Sequence, residues 1–342
     1  MRAGVLSLLL WFAGPAAAMQ EVVDVLPSGA HIRFAVPDGW RAGGTLLLYQ
    51  HGFDMDADTD PDLGPLRDLQ LAQGYAIAAS GYSQSGWALF NAVQDNRDLV
   101  AYVSQHFGAP GELVTMGGSM GGLMALKWAV LYPDAVESVI LIATNYRHTA
   151  QQIALHEVAR QAIMSDPEWH NGDYYGKGLP GRGMAVSRMI GHITYMSEKS
   201  MEAKFGRKLI AKEKLGYDFS HDFEVENYLK YRGDSFVLRF DANSYLYLSK
   251  ALDYFDLSEE GDLTTVLKGV RAKVLIVTFT SDWLYPSYQS KQMVRAFKAN
   301  DIEVSFVEID TDYGHDSFLV EIDSQAKLVS NFLENAAKGV IK

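Results

Sequence analysis

Short apolar runs alternate along the chain with longer stretches whose apolar positions recur every three to four residues, a pattern that predicts a mostly parallel sheet flanked by helices on both faces. The runs Thr45–Tyr49, Tyr75–Ala79, Glu112–Met116, Val136–Ile142, Lys273–Thr278 and Glu303–Ile309 read as strands. Between them, Asn91–Phe107, Met120–Leu131, Tyr288–Ala299 and Ser324–Ala337 carry helical periodicity. The alternation stops after Ile142 and resumes only at Lys273; the stretch between is rich in helix formers, aromatics and charges, without obvious strands. The pattern therefore divides the chain into an α/β core over 19–146 and 271–342 and a helical lid insertion over 147–270.

The first residues, 1–18, break that rhythm. Arg2 is a positive flank, Gly4 to Gly14 a short apolar run, and Ala16-Ala17-Ala18 a small-residue cleavage site, the organisation of a secretory signal peptide. An exported location, periplasmic or secreted, follows as an expectation. The run is too short to span a bilayer, and no other segment looks transmembrane, so no membrane partner is expected.

Composition narrows the chemistry. A chain of 342 residues, 48% hydrophobic, buries a full core without disulfides. It has no cysteine, which excludes thiolate metal sites and cysteine nucleophiles. A formal net charge of −12 argues against a nucleic-acid partner and for small-molecule substrates. Asp54, Asp56, Asp58, Asp60 and Asp62 alternate along one loop, but a calcium loop would want glycine at Thr59 and glutamate at Pro65. A solvated acidic loop is the better account, and no metal site is expected. The basic run Lys204, Arg207, Lys208, Lys212 and Lys214 reads as an exposed helix face rather than a phosphate clamp.

One segment carries sharper chemistry. Gly117-Gly118-Ser119-Met120-Gly121 matches G-x-S-x-G directly after a predicted strand and before a predicted helix, the context of a nucleophile elbow, and it predicts the α/β-hydrolase fold. A serine hydroxyl needs a histidine base and a carboxylate to orient that base. His315 follows the last predicted strand within Tyr313-Gly314-His315-Asp316, and Asp282 follows Lys273–Thr278 within Ser281-Asp282-Trp283, giving the chain order serine, acid, histidine. Asp310 and Asp312 are a second choice of acid, while His51, His148, His156, His170 and His192 read as structural or surface residues. The oxyanion hole is expected from the backbone N–H groups of Met120 and of Phe53, which follows His51-Gly52.

From about Glu112 to Glu334 the chain resembles the homoserine O-acetyltransferase family. The matching segments include Gly117–Gly122, Ala150–Ala154, Arg188–Tyr195, Arg239–Tyr245, Ser281–Pro286 and Tyr313–Asp316. The resemblance implies Ser119 as nucleophile with Asp282 and His315, and Arg188 and Asp316 as contacts to the amino-acid substrate. An arginine can fork onto the carboxylate of homoserine and an aspartate can pair with its ammonium. It further implies acetyl-CoA as co-substrate with no bound cofactor, a role in methionine biosynthesis, a homodimer through the lid and a cytoplasmic location; some relatives take succinyl-CoA instead. The first third departs from the family: Gly81-Tyr82-Ser83-Gln84-Ser85-Gly86-Trp87 stands where the family carries a glycine- and cysteine-containing stretch. With the signal-like start and His51-Gly52-Phe53, that third is more similar to secreted α/β hydrolases. The alternative function is accordingly a secreted serine esterase.

Overall fold

The computed structural model describes residues 19–52, 59–83, 89–210, 214–259 and 261–338. The signal-like segment 1–18 and Phe53, expected as an oxyanion donor, lie outside the described residues.

Strands β1 (Met19–Val25) and β2 (His31–Pro37) form an antiparallel hairpin in which Met19 faces Pro37 and Val25 faces His31. Its turn closes through the Gly29 amide on the Leu26 carbonyl at 2.8 Å, with Gly29 at φ 89°, a conformation glycine adopts without steric cost. This hairpin is absent from the elements that the apolar runs predict. β1 is an edge strand with most of its residues exposed, so its position demands no apolar run.

From there strand and helix alternate through β3 (Thr45–Gln50), α1 (Arg67–Ala72), β4 (Ala76–Ser80), α2 (Leu89–Phe107), β5 (Glu112–Gly118), α3 (Met120–Leu131) and β6 (Ser138–Ile142). Between β6 and the next strand the described residues form α4 (Ala150–Met164), α5 (Gly181–Tyr195), α6 (Glu198–Lys204), α7 (Glu224–Val237), α8 (Ala242–Tyr254) and α9 (Leu263–Leu267). The chain then returns to the sheet with β7 (Lys273–Phe279), α10 (Ser287–Ala299), β8 (Val304–Ile309), α11 (Ser317–Val320) and α12 (Ile322–Ala337). Each strand and helix predicted from the hydrophobic pattern begins and ends within two residues of an observed one; α1 and α11 are additions to the core.

The strand order is β1-β2-β4-β3-β5-β6-β7-β8, with β2 antiparallel to both its neighbours and every other pair parallel. This is the α/β-hydrolase architecture. Ala76, Val139, Leu141, Val274 and Ile276 pack on one face against Leu99 of α2, Leu126 of α3 and Phe297 of α10. The alternate residues Ile77, Ile140, Leu275 and Val277 pack on the other face against Leu71 of α1 and Val329 and Phe332 of α12. Burial on both faces is why these strands read as continuous apolar runs. The inserted helices have a core of their own, in which Ile163 of α4, Met184 of α5, Phe236 of α7 and Ala242 of α8 meet.

Candidate active site

Ser119 occupies the single position between β5 and α3, at φ 50° and ψ −120°. A non-glycine residue held in such a conformation carries strain on the order of 1–3 kcal/mol, so its surroundings must hold it there. Its amide donates to the Ile142 carbonyl at 2.9 Å, and its own carbonyl accepts from Thr144 Oγ1 at 2.7 Å. Gly117 and Gly121 make the turn possible, because a Cβ on Gly121 would overlap the Gln50 carbonyl and one on Gly117 would overlap the backbone of Gly121. The small-residue spacing in the sequence is thus a steric requirement of bringing strand, turn and helix together.

The Ser119 hydroxyl lies 2.9 Å from Nε2 of His315, which sits in the turn after β8. Nδ1 of His315 lies 2.8 Å from Oδ2 of Asp282, in the loop after β7. The second carboxylate oxygen of Asp282 accepts the amides of Leu284 at 3.0 Å and Tyr285 at 2.8 Å. Both His315 and Asp282 are buried. The imidazole is stacked on Tyr285 at 4.9 Å between centroids and flanked by Phe318, so its orientation is set by packing as well as by hydrogen bonds. An imidazole whose Nδ1 faces a buried carboxylate keeps Nε2 free to take a proton from the serine. Asp310, the second choice of acid, instead accepts from Thr280 Oγ1 at 2.9 Å, and Asp312 pairs with Lys199 at 3.0 Å.

Met120 opens α3, and Gly52 lies against it: a Cβ at Gly52 would be 3.8 Å from that of Met120. Gly52, in the loop two residues beyond the end of β3, therefore lies beside Met120 at the start of α3. His51 anchors this loop with Nε2 2.6 Å from the Ser80 carbonyl and its ring stacked on Tyr82.

Ser119 faces a cavity of about 190 Å³ roofed by the inserted helices, with Leu155 and His156 from α4, Arg188 and Tyr195 from α5, Phe236 from α7, and Tyr245, Leu248 and Leu252 from α8. Arg188 therefore reaches the serine pocket, its guanidinium 5.2 Å from the Phe236 ring centroid. Asp316 does not line this pocket. It is half-buried on an adjoining cavity that shares Arg188 and Tyr195 with the first, and burial pushes its carboxyl above the usual range against the pull of His315, Lys204, Arg188 and Arg232.

A model of the α/β-hydrolase fold family matches residues 75–322. A homoserine O-acetyltransferase of Desulfotalea psychrophila is 49% identical over 280 residues, which cover 80% of this chain and 72% of that protein. The chain belongs to the homoserine O-acetyltransferase family. A second homoserine O-acetyltransferase, of Methanosalsum zhilinae, is 52% identical over 230 residues, and here the chain spans about half of its relative, 47%. The crystal structure of homoserine O-acetyltransferase from Bacillus anthracis shares the fold at a TM-score of 0.73 and 19% identity, covering 92% of this chain and 97% of the other.

Within this member of the homoserine O-acetyltransferase family, sequence reasoning missed a second set of polar residues around the serine. His148 Nε2 lies 3.0 Å from the Tyr285 hydroxyl, and that hydroxyl interacts in turn with Ser119. Behind His148, Asp253 pairs with His156 Nδ1 at 2.7 Å and with Arg160 at 2.7 Å. Burial works against the Asp253 anion, but the surrounding His148, His156 and Arg160 side chains overcome it and hold the carboxyl below its ordinary range. His148, His156 and Asp253 place ligand-type atoms within 4.8 Å of one another, yet the Arg160 guanidinium already supplies the cation there. Tyr285 stands three residues after Asp282 in a segment that resembled the family, which was the one available signal for it.

Two predictions arise here. Tyr285→Phe leaves buried His148 Nε2 without its partner and costs about 1–3 kcal/mol of stability, read by urea denaturation; an unchanged midpoint would show that the contact contributes nothing. His192, buried near Arg188, Arg232 and Lys204, has its pKa lowered from 6.5 to about 4, by burial first and these cations second. The unfolded chain then binds a proton that the folded chain refuses between those values, so stability falls as pH drops from about 6.5 to about 4. Melting temperatures across that window should decline less steeply in His192→Gln.

Proposed function

We propose that this chain transfers an acetyl group from acetyl-CoA to the hydroxyl of L-homoserine through an acyl-Ser119 intermediate. Ser119 attacks the thioester carbonyl while His315 Nε2 takes its proton, and Asp282 stabilises the imidazolium. The Met120 amide, with Phe53 as its proposed partner, receives the developing oxyanion. The thiolate leaves with the proton from His315. The homoserine hydroxyl, deprotonated by the same nitrogen, then attacks the acyl-serine and restores the free enzyme.

The observation that carries this reading is Arg188. It lines an otherwise largely apolar pocket facing Ser119, its charge resting on the Tyr195 and Phe236 rings with no carboxylate partner among the described residues. A simple ester gives such an arginine nothing to bind, whereas the carboxylate of an amino-acid acceptor forks onto it. The apolar wall of Leu155, Phe236, Leu248 and Leu252 supports transfer over hydrolysis, because a water-poor pocket favours a bound alcohol as acceptor. Exposed Val158 of α4 and Val186 and Ile193 of α5 support a homodimer through the inserted helices.

A coupled assay of acetyl-CoA consumption with and without homoserine is the test. Loss of acetyl-CoA that depends on homoserine is expected; consumption indifferent to homoserine would make the protein a hydrolase.

A further inference from the structure

Tyr285 takes no part in the acyl transfer described above, yet its hydroxyl interacts with that of the nucleophile, Ser119. Its ring is stacked on His315 with 26° between the planes, and it lines the same cavity as Ser119, so phenol and imidazole lie side by side at the serine. Burial pushes the phenol above its ordinary value, against the pull of its contact with Ser119, and the hydroxyl keeps its proton.

The Tyr285 oxygen also lies 3.0 Å from Nε2 of His148, in the loop between β6 and α4. His148 is buried, and burial lowers its pKa more than any neighbour raises it, so the ring is neutral and carries one proton. Nδ1 has no hydrogen-bond partner among the described residues. Asp253 Oδ1 is 3.8 Å from it and already accepts from His156 Nδ1 at 2.7 Å, while Arg160 pairs with Oδ2 at 2.7 Å. A proton on Nδ1 would have no acceptor within reach; a proton on Nε2 has the Tyr285 oxygen.

The donor count at Ser119 gives the same direction. Asp282 holds the His315 proton on Nδ1, so Nε2 is an acceptor and takes the single Ser119 proton. With that proton committed, Ser119 Oγ meets Tyr285 as an acceptor, and the phenol, whose oxygen accepts from His148, donates to it. The donors then point one way, from His148 through Tyr285 and Ser119 to His315 and Asp282, and each bond polarises the next.

We propose that Tyr285 is a further catalytic residue, a hydrogen-bond donor that stabilises Ser119 Oγ as it leaves the acyl-serine, and that His148 is a positioning residue that orients the phenol. The inference rests on the acyl-Ser119 reading and adds the group that assists breakdown of that intermediate. In the second half of the reaction the acceptor hydroxyl attacks the acyl carbon while His315 Nε2 takes its proton. The bond from that carbon to Oγ then breaks, and Oγ recovers the proton from His315; Tyr285 keeps its own throughout. An ester oxygen is a poor acceptor and a departing alkoxide a strong one, so the bond from Tyr285 tightens as charge builds. When the free serine attacks, its hydroxyl oxygen already accepts that bond, and acylation gains less.

Rapid-quench mass spectrometry of the full chain can follow acetyl-Ser119 as it forms from acetyl-CoA or p-nitrophenyl acetate and as it disappears into homoserine or water. Tyr285→Phe retains the ring against His315. It is expected to slow disappearance about 10- to 100-fold, the scale of a hydrogen bond to a charged group, and to slow it more than formation. The acetylated chain then accumulates at steady state. His148→Leu should show the same imbalance, and His148→Gln, whose amide donates from the place of Nε2, should reverse most of it. Nitrogen chemical shifts of His148 should report its proton on Nε2. Disappearance at the wild-type rate in Tyr285→Phe, formation and disappearance slowed equally, or a His148 proton on Nδ1 would overturn the assignment. If the imbalance appears with p-nitrophenyl acetate and water but homoserine accepts no acetyl group, the transferase reading fails and the role of Tyr285 stands. If homoserine is acetylated and Tyr285→Phe shows no imbalance, the role of Tyr285 fails alone.

Discussion

Ser119→Ala is expected to lower the rate of acetyl transfer by about 10⁶-fold, the scale seen when an activated serine is removed from an intact triad. The substitution deletes the one oxygen 2.9 Å from His315 Nε2 and nothing that supports the turn, since the bonds to Ile142 and Thr144 are made by the backbone of residue 119. The fold should therefore melt as wild type does. Mass spectrometry after brief exposure to acetyl-CoA should find an acetylated wild-type chain and an unmodified variant. Retention of more than about 1% of the wild-type rate would remove Ser119 from the mechanism.

Asp282→Asn should cost about 10⁴-fold in kcat with little change in stability. One oxygen of Asp282 accepts two backbone amides, from Leu284 and Tyr285, so an asparagine places its own oxygen there and turns its NH₂ towards His315 Nδ1. That forces the proton onto Nε2, the nitrogen that must accept from Ser119. The ring stays in place between Tyr285 and Phe318, and only its tautomer is wrong. Nitrogen chemical shifts of His315 read the tautomer independently of rate. The Ser119→Ala/Asp282→Asn double variant should be no slower than Ser119→Ala, because the three groups act as one unit.

Much of this molecule was legible from its sequence, and the reason is locality. The central strands are buried on both faces and appear as unbroken apolar runs; α10 and α12 appear through spacing that repeats within a few turns. The elbow is legible because a strand, a strained serine and a helix within a few residues leave room only for glycine at 117 and 121. Asp282 and His315 could be chosen because this fold sets the ends of successive strands side by side, so position after β7 and β8 was itself evidence. The edge strand β1 was not legible, since an exposed edge requires no particular pattern.

The sequence by itself determined the sheet, the elbow and the order of serine, acid and base, all of which are written in neighbouring residues. Only the tertiary structure decided what surrounds them. It brought His148 to Tyr285 across 137 positions, put Asp316 on a different cavity from Ser119, and gathered Arg188, Lys204 and Arg232 from three helices around one space. Such convergence depends on how inserted helices pack over the sheet, and packing is a property of faces that meet in space, with no periodicity along the chain to announce it.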